Sequence, residues 1–338
     1  EGSPLSARHG QDQDGYTLTS MFNRSNFADA DAVPEEAEFV IVGAPFDATT
    51  CFRSGTREGP GAVRRASYNF ETYVHRHGID FRDITVADLG DLDLGADPAY
   101  ARQTIRESFA FIPEVAIPIF IGGEHSITPP IVAEVARRHG NVGAGNGVGA
   151  GSGGGVSNVS NGSNGSSGKS GIGVLVLDAH LDLRKEYGGT KLSHACASRT
   201  ILETDGVAGY ASIGIRSGDL EEYIWAEENG VHYHSSDEVR ERGIEAVLKD
   251  ALKEVGCEKI YLSIDFDALD PAYAPGVGTP EPFGLSSWDV RYIVEKVAPK
   301  AIGLDVNEIA PQFDGGQTAS LGAKLIREFI AAKAAANR

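Results

Sequence analysis

Short apolar runs alternate along this chain with longer stretches in which apolar positions recur every three to four residues. That is the pattern of buried parallel strands joined by helices. It predicts strands at 39–43, 84–89, 116–121, 174–177, 211–215, 231–234, 259–264 and 301–306. Helices are expected at 61–67, where Pro60 suits the first turn, and at 100–111, 129–139, 198–202, 244–255 and 319–335. Another runs to residue 297 from a capping box formed by Ser286 and Asp289. Strand–helix alternation throughout implies an α/β chain, a mostly parallel sheet with helices on both faces. In such sheets ligands bind outside the carboxyl ends of the strands.

Chemistry-bearing residues sit at those ends. The run Val174-Leu175-Val176-Leu177 leads directly into Asp178, His180 and Asp182, which share one face of an extended segment. Such groups are costly beside an apolar strand unless something compensates them. The strand at 116–121 runs into Gly122-Gly123-Glu124-His125-Ser126, and that at 259–264 delivers Asp265 and Asp267. His125, Asp178, His180, Asp182, Asp265 and Asp267 together offer four carboxylates and two imidazoles. The set suits two ions such as Mn2+, and the absence of thiolates argues against structural zinc. Such ions lower the pKa of bound water towards about 7–9 and so supply hydroxide at neutral pH. Two dications also balance four carboxylates, leaving a core suited to a cationic electrophile.

Composition narrows the partners. The 338 residues are 41% hydrophobic, enough for a large core, and carry a formal net charge of -18. Nucleic acid and anionic membrane surfaces both need basic patches, so neither is expected as a partner. A cationic substrate or a salty cytoplasm fits the acidity. Cys51, Cys196 and Cys257 are scattered and odd in number, which points to a reducing, cytoplasmic setting. No apolar run reaches the length of about 18 residues that a membrane span requires. Residues 1–20 are polar, and Met21 is the only methionine, so 1–20 reads as a leader, tag or non-native extension. The domain is then 21–338, with a flexible Gly/Ser/Asn-rich insertion at 140–171. Within it, Ser163 to Ser170 nearly matches a phosphate-binding loop but lacks the first glycine and the strand–helix context. The Asn-x-Ser triplets at Asn158, Asn161 and Asn164 are what such composition produces by chance.

Three stretches together resemble the signatures of the ureohydrolases, the arginase and agmatinase enzymes. They are Gly122-Gly123-Glu124-His125-Ser126, Asp178-Ala179-His180-Leu181-Asp182 and Ser263-Ile264-Asp265-Phe266-Asp267 with Asp270 and Pro271. The likeness extends to Gly43-Ala44-Pro45-Phe46-Asp47, the loop at 53–60, the segment 275–282 and Leu304-Asp305-Val306-Asn307-Glu308-Ile309. It implies a single-domain, three-layer αβα fold of the arginase type and two Mn2+ ions per subunit. His125, Asp178, Asp182 and Asp265 would hold one ion. Asp178, His180, Asp265 and Asp267 would hold the other, with Asp178 and Asp265 bridging. A metal-bridging hydroxide would attack the guanidinium carbon. Asp182 would pass a proton to the leaving amine, Glu308 would grip the guanidinium, and His194 would shuttle protons. Assembly as a homo-oligomer is part of the same expectation. The pairs His75/His77 and His232/His234 have no carboxylates at ligand spacing and read as ordinary surface or strand histidines.

The loop 183–193 lacks the Ser-x-Asn-x-His pattern with which arginases seat an α-amino acid. The overall look, with Phe70-Glu71-Thr72-Tyr73, is closer to microbial and archaeal agmatinases, implying hydrolysis of agmatine to putrescine and urea. Arg184, Lys185 and Lys191 pull the other way, because they offer partners for the carboxylate of arginine, guanidinobutyrate or formimidoylglutamate. Arginase, guanidinobutyrase and formimidoylglutamase are therefore the alternatives. A catalytically inactive metal-binding regulator, a metal-dependent deacetylase of the same layered fold and a nucleotide-binding protein are weaker ones.

Overall fold

The computed structural model describes residues 26–140 and 169–338. The expectations for residues 1–20 and for 141–168 lie outside them. Eight strands form the central sheet: β1 (Phe39–Ala44), β4 (Val86–Asp91), β5 (Ile117–Gly122), β6 (Ile172–Leu177), β7 (Val207–Ile215), β8 (Tyr233–Ser235), β9 (Ile260–Asp265) and β10 (Ala301–Asn307). A small hairpin supplies β2 (Tyr73–Val74) and β3 (Ile79–Asp80). The sheet order is β4-β1-β5-β10-β9-β6-β7-β8, and every pairing in it is parallel.

A parallel sheet needs cover on both faces, and the strand sequences supply it by burying alternate residues on opposite sides. In β6, Leu175 and Leu177 face one core while Ile172, Val174 and Val176 face the other. The first core is closed by α1 (Gly59–Ser67), α7 (Ile244–Val255), α8 (Ser287–Val297) and α9 (Gln317–Asn337). The second is closed by α2 (Pro98–Ser108), α3 (Thr128–His139) and α4 (Ala197–Leu202). The chain is thus one three-layer αβα domain, as its sequence pattern implies.

Two helices escaped the periodicity, α5 (Leu220–Asn229) and α6 (Ser236–Arg242). Each buries only two residues, Glu222 and Ala226 in α5 and Ser236 and Val239 in α6, so neither has an apolar stripe to detect. Both are set instead by their caps: Asp219 and Glu222 form a capping box, and Ser235 accepts from Glu238 N. The strand expected at 84–89 begins two residues later, at Val86, because Ile84 closes a 3-10 turn.

Leu262 lies at the centre of β9, fully buried between β6 and β10. Leu262→Ala should lower unfolding stability by about 2–5 kcal/mol. A urea midpoint equal to that of the parent would contradict this placement of β9.

Candidate metal-dependent active site

Four neighbouring strands, β5, β10, β9 and β6, end at one level, so the residues that follow them meet over the carboxyl edge of the sheet. β5 turns through Gly122 and Gly123 into His125. A Cβ on Gly123 would sit 1.9 Å from the Phe46 carbonyl oxygen, so only glycine lets the two loops pass. β6 delivers Asp178, His180 and Asp182, β9 delivers Asp265 and Asp267, and β10 delivers Glu308. Asp182 and Glu308 adopt left-handed backbone, φ 51° and 63°, which non-glycine residues hold at a cost when the surroundings impose it.

These side chains converge. His125 Nδ1 lies 3.1 Å from Asp178 Oδ2, 3.3 Å from Asp182 Oδ2 and 3.4 Å from Asp265 Oδ2. His180 Nδ1 lies 3.0 Å from Asp267 Oδ2 and 3.6 Å from Asp178 Oδ1. Two groups with metal-ligand spacing result, one of His125, Asp178 and Asp182 and one of Asp178, His180 and Asp267, with Asp178 in both. Asp265 stands beside the first through His125, and its Oδ1 accepts Asp267 N at 2.9 Å.

A buried hydrogen-bond chain orients His125. Tyr261 Oη and Ser263 Oγ donate to Asp305, at 2.7 and 2.6 Å. Having given its proton to Asp305, Ser263 Oγ accepts from His125 Nε2 at 3.1 Å. Nδ1 is left facing the carboxylates, as the nitrogen available to a metal ion. Neither His125 Nδ1 nor Asp178 Oδ2 has a hydrogen-bond partner, although both atoms are buried. A buried imidazole nitrogen and a buried carboxylate oxygen that face each other without a hydrogen bond are what a cation would reconcile.

The electrostatics give the same answer. Burial alone would lower the pKa of His125, but Asp178 and Asp182 raise it well above the ordinary imidazole value. His180 is likewise raised, against burial, by Asp267 and Asp178. Burial and then Asp178 raise Asp182 to about 7. Burial, Asp267 and Asp178 push Asp265 well up, and burial with Glu124 and Asp267 does so for Glu308. Asp267 alone goes below the usual carboxylate range, held there against burial by His180. Carboxylates so crowded do not all ionise unaided; two divalent cations fit the set.

The cluster floors a cavity of about 200 Å³. His194 and Glu308 line it too, so the structure gathers every residue expected as a metal ligand or catalytic group: Asp178 lies just beneath and the others face the cavity. Glu308 is 5% exposed, and its Oε1 accepts the His125 backbone N–H at 2.8 Å. The His194 imidazole is lowered to about 4, first by burial and then by His180.

Arg184, one of the cations expected to receive a carboxylate, lines the outer wall already paired with acids. Its Nη1 pairs with Asp219 at 2.6 Å, its Nε approaches Glu222 at 3.5 Å, and its guanidinium stacks 5.1 Å from the Tyr187 ring centre. Lys185 and Lys191 are exposed and do not line the cavity. Both His-x-His pairs also gain carboxylates that sequence spacing did not reveal. His77 meets Glu295 and Glu328, but Arg76, Arg291 and Lys324 already hold those acids. His234 lies 3.0 Å from Glu238 and 2.9 Å from Glu254. Sequence reading missed Thr50, Cys51, Asp219, Glu222 and Thr279 of the lining. Only the Asp219/Glu222 capping spacing left a signal.

A three-layer αβα fold in which β5, β6 and β9 bring two imidazoles and four aspartates into one cleft, beside Glu308 from β10, defines a metal-dependent hydrolase of the α/β class. The chain belongs to the arginase family, whose model matches residues 37–332. It is 33% identical to an agmatinase of Pyrococcus horikoshii over 86% of this chain and 90% of that one. To an N(1)-aminopropylagmatine ureohydrolase of Thermococcus kodakarensis it is 34% identical, over 89% and 92%. Among solved structures, the agmatine ureohydrolase of Thermoplasma volcanium superposes with a TM-score of 0.78 at 34% identity, covering 94% of this chain and 97% of that one. No helix among the described residues is long and apolar enough to cross a membrane.

Below pH about 7, Asp182 of the metal-free protein holds a proton that an incoming cation must displace. Titration calorimetry with Mn2+ should therefore give affinity that weakens as pH falls from 8 to 6, with protons released on binding. Equal affinity across that range would contradict the crowding described.

Proposed function

We propose that this enzyme is an agmatinase, hydrolysing agmatine to putrescine and urea. His125, Asp178, Asp182 and Asp265 would hold one Mn2+ and Asp178, His180, Asp265 and Asp267 the second, Asp178 and Asp265 being shared. When bound, the two ions supply hydroxide at neutral pH and positive charge for the transition state. The chain's own residues do the rest. Glu308, anchored by the His125 N–H, faces the cavity and grips the planar guanidinium by charge-assisted hydrogen bonds. Asp182 takes the proton of the attacking nucleophile and passes it to the departing amine, and His194 shuttles protons at the cavity wall.

One observation carries the choice of substrate: Arg184 is already neutralised by Asp219 and Glu222. With two ions balancing the four aspartates, the cavity wall offers Glu308, Asp219 and Glu222 against the single Arg184. Two negative charges are left uncompensated, which suits a dication such as agmatine and repels a substrate with a terminal carboxylate. Asp219, with its side chain 57% exposed, is the group we assign to the distal ammonium. A longer guanidino polyamine is the second reading, because an outer groove lined by Ala48, Asp97 and Leu192 joins the cavity at Thr50, Cys51 and Tyr187. The three unpaired thiols suit the cytoplasm, where we also expect a homo-oligomer.

Urea release by the Mn2+-loaded protein should be fastest from agmatine or its aminopropyl derivative and slow from arginine, guanidinobutyrate and formimidoylglutamate. Preference for a carboxylate-bearing substrate would overturn the agmatinase reading, and no urea from any of them would overturn ureohydrolysis. Asp265→Asn should lower manganese content and activity together; unchanged manganese by elemental analysis would refute a shared ligand.

A further inference from the structure

Glu124 is fully buried beside the cluster, yet the chemistry above does not use it. Its Oε2 accepts the Thr49 N–H at 2.7 Å, while Oε1 accepts Ser126 Oγ at 2.5 Å and the Thr49 hydroxyl in a short hydrogen bond. Thr49 Oγ1 has thus given away its only proton and keeps two lone pairs. Two groups of His194 approach that oxygen: the backbone N–H donates to it at 3.1 Å, and ring Nδ1 lies 3.4 Å away. A hydroxyl with no proton left can only accept, so Nδ1 carries the hydrogen. Ser193 Oγ, 3.3 Å from Nδ1, can accept from it as well. The other nitrogen, Nε2, is then the basic one, and it lies 3.5 Å from Cys51 Sγ, which lines the cavity. Tyr187 packs edge-on against the same ring at 5.7 Å.

We propose that Thr49, held by Glu124, is a positioning residue for the proton relay: it fixes both the ring orientation and the tautomer of His194, so that the basic nitrogen faces the substrate. This rests on the role given to His194 above. Thr49 touches neither the metal ligands nor the guanidinium-binding Glu308 in any recorded contact, so its influence passes through His194. The segment 47–51 is itself tied down by Thr50 Oγ1 donating to the Asp47 carbonyl and by the Asp47 pair with Arg57, so the hydroxyl is presented from a fixed loop.

Thr49→Val keeps the shape and removes the hydroxyl, and Thr49→Ser restores it. In Thr49→Val, kcat for agmatine should fall at least about tenfold with KM within about twofold and manganese content unchanged, while Thr49→Ser stays near the parent. Added to His194→Ala, Thr49→Val should cause no further loss, since the two act as one unit. Equal kcat in Thr49→Val and the parent, or losses that multiply in the double variant, would overturn the proposal. A readout independent of turnover is the ring itself. In the full-length chain loaded with diamagnetic Zn2+, 15N spectra should show His194 protonated at Nδ1 and lose that preference in Thr49→Val. A parent protonated at Nε2, or a variant with an unchanged tautomer, would overturn it too. If the parent releases urea from no guanidino compound, the functional reading falls, while these spectra still decide whether Thr49 governs the ring.

Discussion

Like charge brought together at the floor of a cavity and largely withdrawn from water is the condition on which this molecule is built. Asp178, Asp182, Asp265 and Asp267 lie within one buried cluster, and the Nδ1 atoms of His125 and His180 face them. Without cations the cluster holds protons that ordinary carboxylates would have lost, as the raised Asp182 and Asp265 record. With two dications the same atoms become ligands. The cost of gathering the acids is a folding liability that metal binding converts into affinity.

The sheet makes that gathering possible. Strands placed side by side in parallel end their hydrogen-bonding at a common edge, and residues one to five positions beyond it share a small volume. Because β5, β10, β9 and β6 are neighbours, ligands far apart in sequence arrive within bonding distance of shared ions. Rigidity comes from behind: the chain from Tyr261 through Asp305 and Ser263 to His125 is buried, so the ring cannot turn without breaking satisfied hydrogen bonds. Left-handed backbone at Asp182 and Glu308 belongs to the same design, re-aiming two acids that a regular strand end would point elsewhere.

Much of this was legible before any coordinates. Most strands showed because each carries a short apolar run, and the metal-ligand candidates because they follow those runs at fixed spacing. The outer cavity was not, for a physical reason. Its wall is made by helix caps and loops, where Asp219 and Glu222 look like capping residues and Thr49 looks like nothing in particular. Arg184 misled, since a free guanidinium and a paired one read alike in sequence, and only the fold brings Asp219 across to it. The His-x-His pairs misled in the opposite sense: apart from Glu238, four residues beyond His234, their carboxylates come from the distant helices α7, α8 and α9. α5 and α6 were missed because helices that bury two residues each leave no stripe.

In the proposed reading, substrate choice follows from charge left over once the ions are seated, and proton delivery from how one imidazole is held. Both depend on the paired-cation centre, so that centre is the claim to test first. Anomalous diffraction at the manganese absorption edge, from crystals grown with Mn2+, measures it directly. Two peaks are predicted per chain, one against His125 Nδ1 and one against His180 Nδ1, with Asp178 between them. A single peak, or none among these residues, would contradict the account.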